Sequence, residues 1–241
     1  MAHEFIGRGL LITEGKTKIL AVADLHMGYD GALRKAGVFV PGGGVFGQTM
    51  TDLKEIFEMV GKVDIVVLLG DVKHAFGTVL PDERWEILSL LDYLLEKSGE
   101  IVVVKGNHDV LLGPIVHERG VKIRDYWVWG SYCFLHGDRD FSAIYQRRIK
   151  KWVVGHAHPA IELMDGTKHE RYKCFLCGFL WGREIIVVPS LFSKSEGVDV
   201  LTRELGLAWP LDVMRCCVYI TNKNGDLLNF GLVKNIKQGI K

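Results

Sequence analysis

A chain of 241 residues with 48% apolar and 24% charged side chains can bury a substantial core and has an ordinary globular composition. Thirty Lys and Arg against 29 Asp and Glu leave a net charge of +1, which gives no bulk electrostatic reason for avid binding to nucleic acid or an anionic membrane. Five cysteines without regular spacing do not read as a disulfide framework, no apolar run approaches the ~18 residues of a membrane span, and the first residues lack a secretion-signal pattern, so a cytoplasmic chain is expected.

Residues 17–24, TKILAVAD, read as a buried strand, as do 63–71, VDIVVLLGD, and 100–107, EIVVVKGN. Each is short, rich in β-branched residues and closed by polar groups. A glycine cluster at 40–47 reads as a flexible loop before a helix over 45–62, whose Phe46, Met50, Leu53, Phe57 and Val60 share one face. A second helix is expected over 80–99. Pro81, Asp82 and Glu83 suit its first turn, Lys97 and Gly99 its end, and Trp85, Leu88, Leu91 and Leu95 its buried face. This β-α-β-α-β pattern predicts a parallel sheet with right-handed crossovers.

The second half changes character. Segments 121–125, 127–138, 151–164, 170–182, 183–190 and 214–233 read mostly as strands, with a hairpin turn at Asn224–Gly225. No linker separates two folding units, so a single domain over 1–241 with two sheets is expected. The C-x-x-C pair Cys174 and Cys177, and the pair Cys216 and Cys217, lie on expected strands and read as buried packing. His3, His117 and His169 have no motif around them and read as solvent-facing, and the aromatic run 126–134 reads as core.

Five strand ends carry one signature. VADLHMG presents Asp24 and His26, LLGDVKH presents Asp71 and His74, and VKGNHD presents Asn107 and His108. Further on, FLHGD presents His136 and Asp138, and VGHAHP presents His156 and His158. Strands of one sheet deliver their C-terminal ends to a common edge, where open α/β folds place their sites. On an extended segment, residues i and i+2 point the same way, so Asp24/His26 and His156/His158 could each chelate together. Carboxylate, imidazole and amide donors without thiolate suit manganese, iron or zinc and argue against a cysteine-zinc site. Seven ligands exceed one ion's needs. Two ions sharing a carboxylate, ~3.5–4 Å apart as in bimetal hydrolases, would use them all.

The ordered set D-x-H, G-D, G-N-H-D, H, G-H-x-H resembles that of the calcineurin-like metallophosphoesterase superfamily. The finer detail is similar to the small archaeal-type phosphoesterases related to SbcD-type nucleases. The resemblance implies a four-layer α-β-β-α sandwich of two mixed sheets flanked by helices. It implies two divalent ions, manganese first among iron, nickel and zinc, with Asp24, His26 and His158 on one, Asn107, His136 and His156 on the other, and Asp71 bridging. A hydroxide shared by the ions would attack phosphorus, with His108 as the catalytic residue that protonates the leaving oxygen or stabilises charge on the phosphoryl group. His74, three residues past Asp71, reads either as a residue that touches substrate or supports a ligand, or as a plain loop residue. The implied function is phosphodiester hydrolysis in a nucleotide or short nucleic-acid substrate, DNA or RNA ends included, without a membrane partner. The alternatives are an SbcD-type DNA repair nuclease and a catalytically silent interaction scaffold. Asp109 either orients His108 or caps a helix near Val110, and Arg139 reads as an exposed loop residue.

Overall fold

A computed structural model of the chain describes residues 2–40, 44–165, 168–202, 204–222 and 225–239. The turn expected at Asn224–Gly225 and the centre of the 40–47 glycine cluster lie outside the described residues, at least in part. The first sheet has six strands in sequence order: β1 (Ala2–Ile6), β2 (Gly9–Glu14), β3 (Thr17–Val22), β4 (Val63–Leu68), β5 (Ser98–Val104) and β6 (Lys122–Arg124). The strands β3 to β6 are parallel, as the crossover pattern requires. The N-terminal β1 and β2 form an antiparallel meander on β3 that no sequence signal announced. Four helices belong to this half: α1 (Tyr29–Lys35), α2 (Val45–Val60), α3 (Pro81–Lys97) and α4 (Gly113–His117).

The second sheet has seven strands in the order β16-β15-β12-β13-β9-β8-β7. These are β7 (Tyr126–Trp129), β8 (Tyr132–Leu135), β9 (Lys151–Val154), β12 (Phe175–Leu180), β13 (Arg183–Val187), β15 (Cys217–Thr221) and β16 (Leu227–Leu232). A small third sheet joins β10 (Pro159–Asp165), β11 (Lys168–Lys173) and the two-residue β14 (Val198–Asp199), and α5 (Val233–Gly239) ends the described chain. The segment 121–125, grouped with the second half by its strand character, belongs to the first sheet, where β6 pairs with β5.

Three apolar clusters fill three interlayer spaces, which makes four layers. Leu20, Val22, Val66 and Leu68 meet Leu53, Phe57, Leu90 and Leu94 of α2 and α3 on the outer face of the first sheet. Ile19, Ala21, Val67 and Val104 meet Phe134, Val153, Phe175 and Ile186 between the sheets. This alternation along β3 and β4 follows the two-residue strand period, and burial on both faces explains the unbroken apolar runs. Outside the second sheet, Trp152, Leu176 and Val218 are covered by Ile161 of β10, Leu205 and Trp209 of a long loop, and Val233 of α5. The fold is thus the expected sandwich of two mixed sheets, with long helices on one side and short elements on the other.

The face of α3 departs from its expected one. Trp85 is 61% exposed and Leu95 38% exposed, while Ile87, Leu90, Leu91 and Leu94 are buried together with Glu83 and Glu86. The helix carries two apolar stripes, and polar contacts decide between them. The Glu83 carboxylate accepts hydrogen bonds from the amides of His74 and Ala75 at 3.0 and 2.9 Å, and Glu86 accepts from Gly28 at 2.7 Å. Drawing both carboxylates inward rotates Trp85 to the surface. The cysteine readings hold, with Cys174 and Cys216 buried and Cys177 and Cys217 partly so, all as free thiols. His117 and His169 are exposed, but His3 is partly buried against the edge of Phe5. No helix among the described residues is long and apolar enough to cross a membrane.

Candidate metal centre

The three central strands β3, β4 and β5 run in one direction, so their C-terminal loops emerge together. The amides of Leu25 and His26 donate to the Asp71 carbonyl at 3.0 and 2.9 Å, tying the first loop to the second. The His108 amide donates to Asp71 Oδ1 at 2.9 Å, tying the third loop to the same carboxylate. From the second sheet, β8 delivers His136 and β9 delivers His156 and His158. The His156 amide donates to both oxygens of Asp24 at 3.1 Å, so the seam between the sheets closes on a predicted ligand.

All nine site residues expected from the sequence reach this edge. Asn107 Oδ1 lies 3.1 Å from His136 Nε2, which lies 3.1 Å from His156 Nδ1 and 3.5 Å from Asp71 Oδ1. His158 Nε2 is 3.5 Å from Asp24 Oδ2, and His26 Nε2 is 3.9 Å from Asp71 Oδ2. Donor atoms of Asp71, His136 and His156 lie within 4.8 Å of one another, and a second such group joins His26, His74 and His108. His74 therefore stands beside a predicted ligand, its Nδ1 3.5 Å from that of His26. Asp138 and Arg139 pair with each other, and Arg139 is exposed.

The backbone that presents these groups is not extended. Asp24, His26, Asp71, His156 and His158 have φ of 52°, 51°, 49°, 63° and 44°, five of the six non-glycine residues with positive φ among those described. The paired presentation of Asp24/His26 and His156/His158 thus rests on left-handed backbone, not on strand alternation. Aspartate and histidine tolerate this region better than β-branched residues, yet each such residue stores roughly 1–3 kcal/mol. Strain concentrated in this way marks a functional site. Gly106 allows the third loop to pass Asp71, since a Cβ there would stand 2.3 Å from the amide nitrogen and Oδ1 of Asp71.

Electrostatics set the donors in ligating form. Burial works against the charges of Asp24 and Asp71. It is outweighed, by His158 at the first and by hydrogen bonding to His136 at the second, and both carboxyls stay below the usual range. Burial pushes His26 down to about 3 and also lowers His74 and His156, leaving neutral imidazoles with a free lone pair. His136 is the exception. Burial opposes its charge, but the hydrogen bond to Asp71 and the nearby carboxylates win and push it up to about 9. One imidazolium only partly offsets two buried carboxylates, and a buried charge needs a partner. The donor set therefore fits hard to borderline divalent cations. His136 Nδ1 faces the Leu69 carbonyl at 2.7 Å and must donate to it, which directs Nε2 into the site.

The roles of several supporting groups escaped the sequence reading. Asp109 does not touch the His108 ring and caps no helix; its two oxygens accept the amides of Lys73 and Gly106 at 3.1 and 2.9 Å, pinning the second loop to the third. Lys73 and Glu83, fully buried and 3.5 Å apart, hold the loop that carries His74. Ser190 donates to the Asp24 carbonyl at 3.1 Å. Only the polar-after-apolar pattern around GDVK could have flagged Lys73, Asp109 carried a signal for local roles alone, and Glu83 carried the ordinary signature of a helix start.

A two-sheet sandwich with carboxylates, imidazoles and an amide gathered at its strand ends defines a metal-dependent phosphoester hydrolase. The profile of the calcineurin-like phosphoesterases matches residues 17–178, and the chain belongs to that family. No curated protein matches the sequence. Among solved structures, the fold is similar to the nuclease MPE of Pseudomonas putida, at 14% identity, TM-score 0.55, and coverage of 92% of this chain and 100% of that one. YfcE, a phosphoesterase from E. coli, follows at 14% identity and TM-score 0.43, covering 89% of this chain and 98% of that one. Vps29 from Entamoeba histolytica, complexed with zinc, stands at 16% identity and TM-score 0.38, covering 88% and 96%.

Proposed function

We propose that this protein hydrolyses phosphodiester bonds in a nucleotide or short nucleic-acid substrate with two divalent ions. Asp24, His26 and His158 would hold one ion and Asn107, His136 and His156 the other, with Asp71 between them. The observation that carries this reading is the convergence of five separate strand ends on one pair of ionised, buried carboxylates. The ions, manganese before iron, nickel or zinc, would supply Lewis acidity and a nucleophile at neutral pH.

The chain's own groups do the rest. His108 Nδ1 faces the His74 carbonyl at 2.7 Å and donates to it, so Nε2 points toward the centre, 3.8 Å from Asp71 Oδ2. From there it gives a proton to the departing oxygen or stabilises charge on the phosphoryl group. His74, half-buried at the rim, meets the phosphoryl oxygens. Residues 1–241 act as one unit in this reading, because the cluster between the sheets draws on both halves of the chain. Free thiols suit a reducing compartment such as the cytoplasm.

Nucleic-acid ends form a second substrate class, supported by the fold likeness to a nuclease. The near-zero net charge speaks against tracking along duplex. The test is hydrolysis of bis(p-nitrophenyl) phosphate with manganese, nickel, iron and zinc, beside Asp71→Asn and His108→Ala. Activity that needs metal and falls in Asp71→Asn supports the reading; inactivity with every metal favours a silent scaffold.

A further inference from the structure

The two ends of the site differ in what surrounds them. Around His136 and His156 the wall is aliphatic: Leu207 packs on Gly137, Gly206 approaches His156 Nε2, and the Ala208 amide donates to the Gly137 carbonyl at 2.9 Å. Around His26, His74 and His108 it is aromatic. Tyr29 and Phe192 lie with ring centroids 4.9 Å from His74 and from His26 respectively. Phe76 covers His108 with centroids 3.8 Å apart and planes inclined by 37°, while 59% of it faces water.

Phe76 is thus an aromatic plate with one face on the proposed proton donor and the rest open to solvent. Its loop is firmly held just before it. The Ala75 amide donates to Glu83 at 2.9 Å, the Lys73 ammonium donates to the Ala75 carbonyl, and both charged groups are fully buried. The exposed tryptophans Trp85 and Trp181 lack this setting. Trp85 lies against Phe46 on the helical side, and Trp181 packs with Tyr145 and Trp152 outside the second sheet.

We propose that Phe76 is a stacking platform that selects substrates with a planar base on the leaving side of the scissile phosphate. The inference rests on the phosphodiesterase reading above, and it narrows the substrate class. The group that protonates the leaving oxygen stands beside the departing residue, so the ring stacked on His108 meets that residue first. An open aromatic face holds a base without reading its sequence, because every base has a π-face.

The test uses thymidine dinucleotides in which a tetrahydrofuran spacer replaces one base, on the leaving side or on the retained side. Bond, charge and alcohol stay the same. The expected result is a preference of about tenfold in kcat/KM for the base on the leaving side. Phe76→Ala brings that ratio near one and Phe76→Trp keeps it. Calorimetric binding of the same dinucleotides, linked by an uncleavable methylphosphonate, gives a second readout. A ratio near one in the unaltered protein, a preference confined to the retained side, or a ratio that survives Phe76→Ala overturns the platform. Base-dependent binding lost in Phe76→Ala without any hydrolysis sustains the platform and overturns the diesterase reading. Hydrolysis without base preference does the reverse.

Discussion

Replacing Gly106 by alanine places a methyl group where the chain has no room for one. The added carbon would stand 2.3 Å from both the amide nitrogen and Oδ1 of Asp71, against a closest real approach of about 3.0 Å. Asp71 or the third loop must therefore shift by roughly 0.7 Å or more. One neighbour is backbone, and the other, the Asp71 carboxylate oxygen, is held by the His108 amide that donates to it, so the shift is resisted on both counts. Overpacking of this kind costs about 1–3 kcal/mol of stability. Displacing a group at the reacting centre by such a distance costs on the order of 100-fold in rate. Gly106→Ala should thus remain folded, with a lowered urea midpoint, while manganese affinity by calorimetry and hydrolysis of bis(p-nitrophenyl) phosphate fall together. Gly113→Ala is the control, since no atom lies near its added carbon and its φ is not positive. Metal affinity and rate within about threefold of the unaltered protein in Gly106→Ala would refute the claim that this glycine is set by Asp71.

Gly47 lies inside α2 with open space around it, so Gly47→Ala should raise stability by about 0.5–1 kcal/mol in urea unfolding. Asp109→Asn should destabilise by about 1–3 kcal/mol, because an asparagine cannot accept both the Lys73 and the Gly106 amides; equal midpoints for the two proteins would contradict it. Glu83→Leu breaks a buried ion pair and should cost about 3–5 kcal/mol in the same assay. In metal-free protein, the His136 pKa is raised to about 9 from 6.5. A raised folded pKa contributes stability that is fully present below the unfolded value and lost as pH rises through the folded one. The stability gap between the chelated protein and His136→Gln should therefore shrink from pH 6 to about pH 10; a gap that widens would reverse the assignment.

The sheet framework and the polar strand ends could be read from the sequence because both follow from short-range rules, while the choice of site residues among them was implied by the family resemblance. An apolar run of strand length ending in Asp, Asn or His states where the strand stops and what its end presents. The sequence does not state how the chain turns there. The left-handed backbone at Asp24, Asp71 and His156 is set by contacts between loops far apart in sequence, and it looks like strand alternation until those contacts exist. The face of α3 was misread for a related reason. Apolar periodicity allowed two stripes, and the deciding groups, Glu83 and Glu86, were polar residues whose partners lie on the loops at Lys73, His74 and Gly28. For Asp109 the sequence offers only local roles, orienting His108 or capping a helix near Val110, whereas its oxygens hold two different loops together. The strands β1 and β2, AHEFI and GLLITE, precede the β-α-β-α-β pattern and end on none of the polar motifs that marked the later strands.

Of the seven proposed ligands, Asp24, His26, Asp71 and Asn107 come from one sheet and His136, His156 and His158 from the other, so neither half of the molecule owns the whole proposed set. An ion held by the proposed ligand set would rivet the two slabs across their seam. Loading with cation should shield the chain from proteases most strongly at that join, and a fragment ending before β7 keeps fewer than two-thirds of the donors however well its own sheet folds.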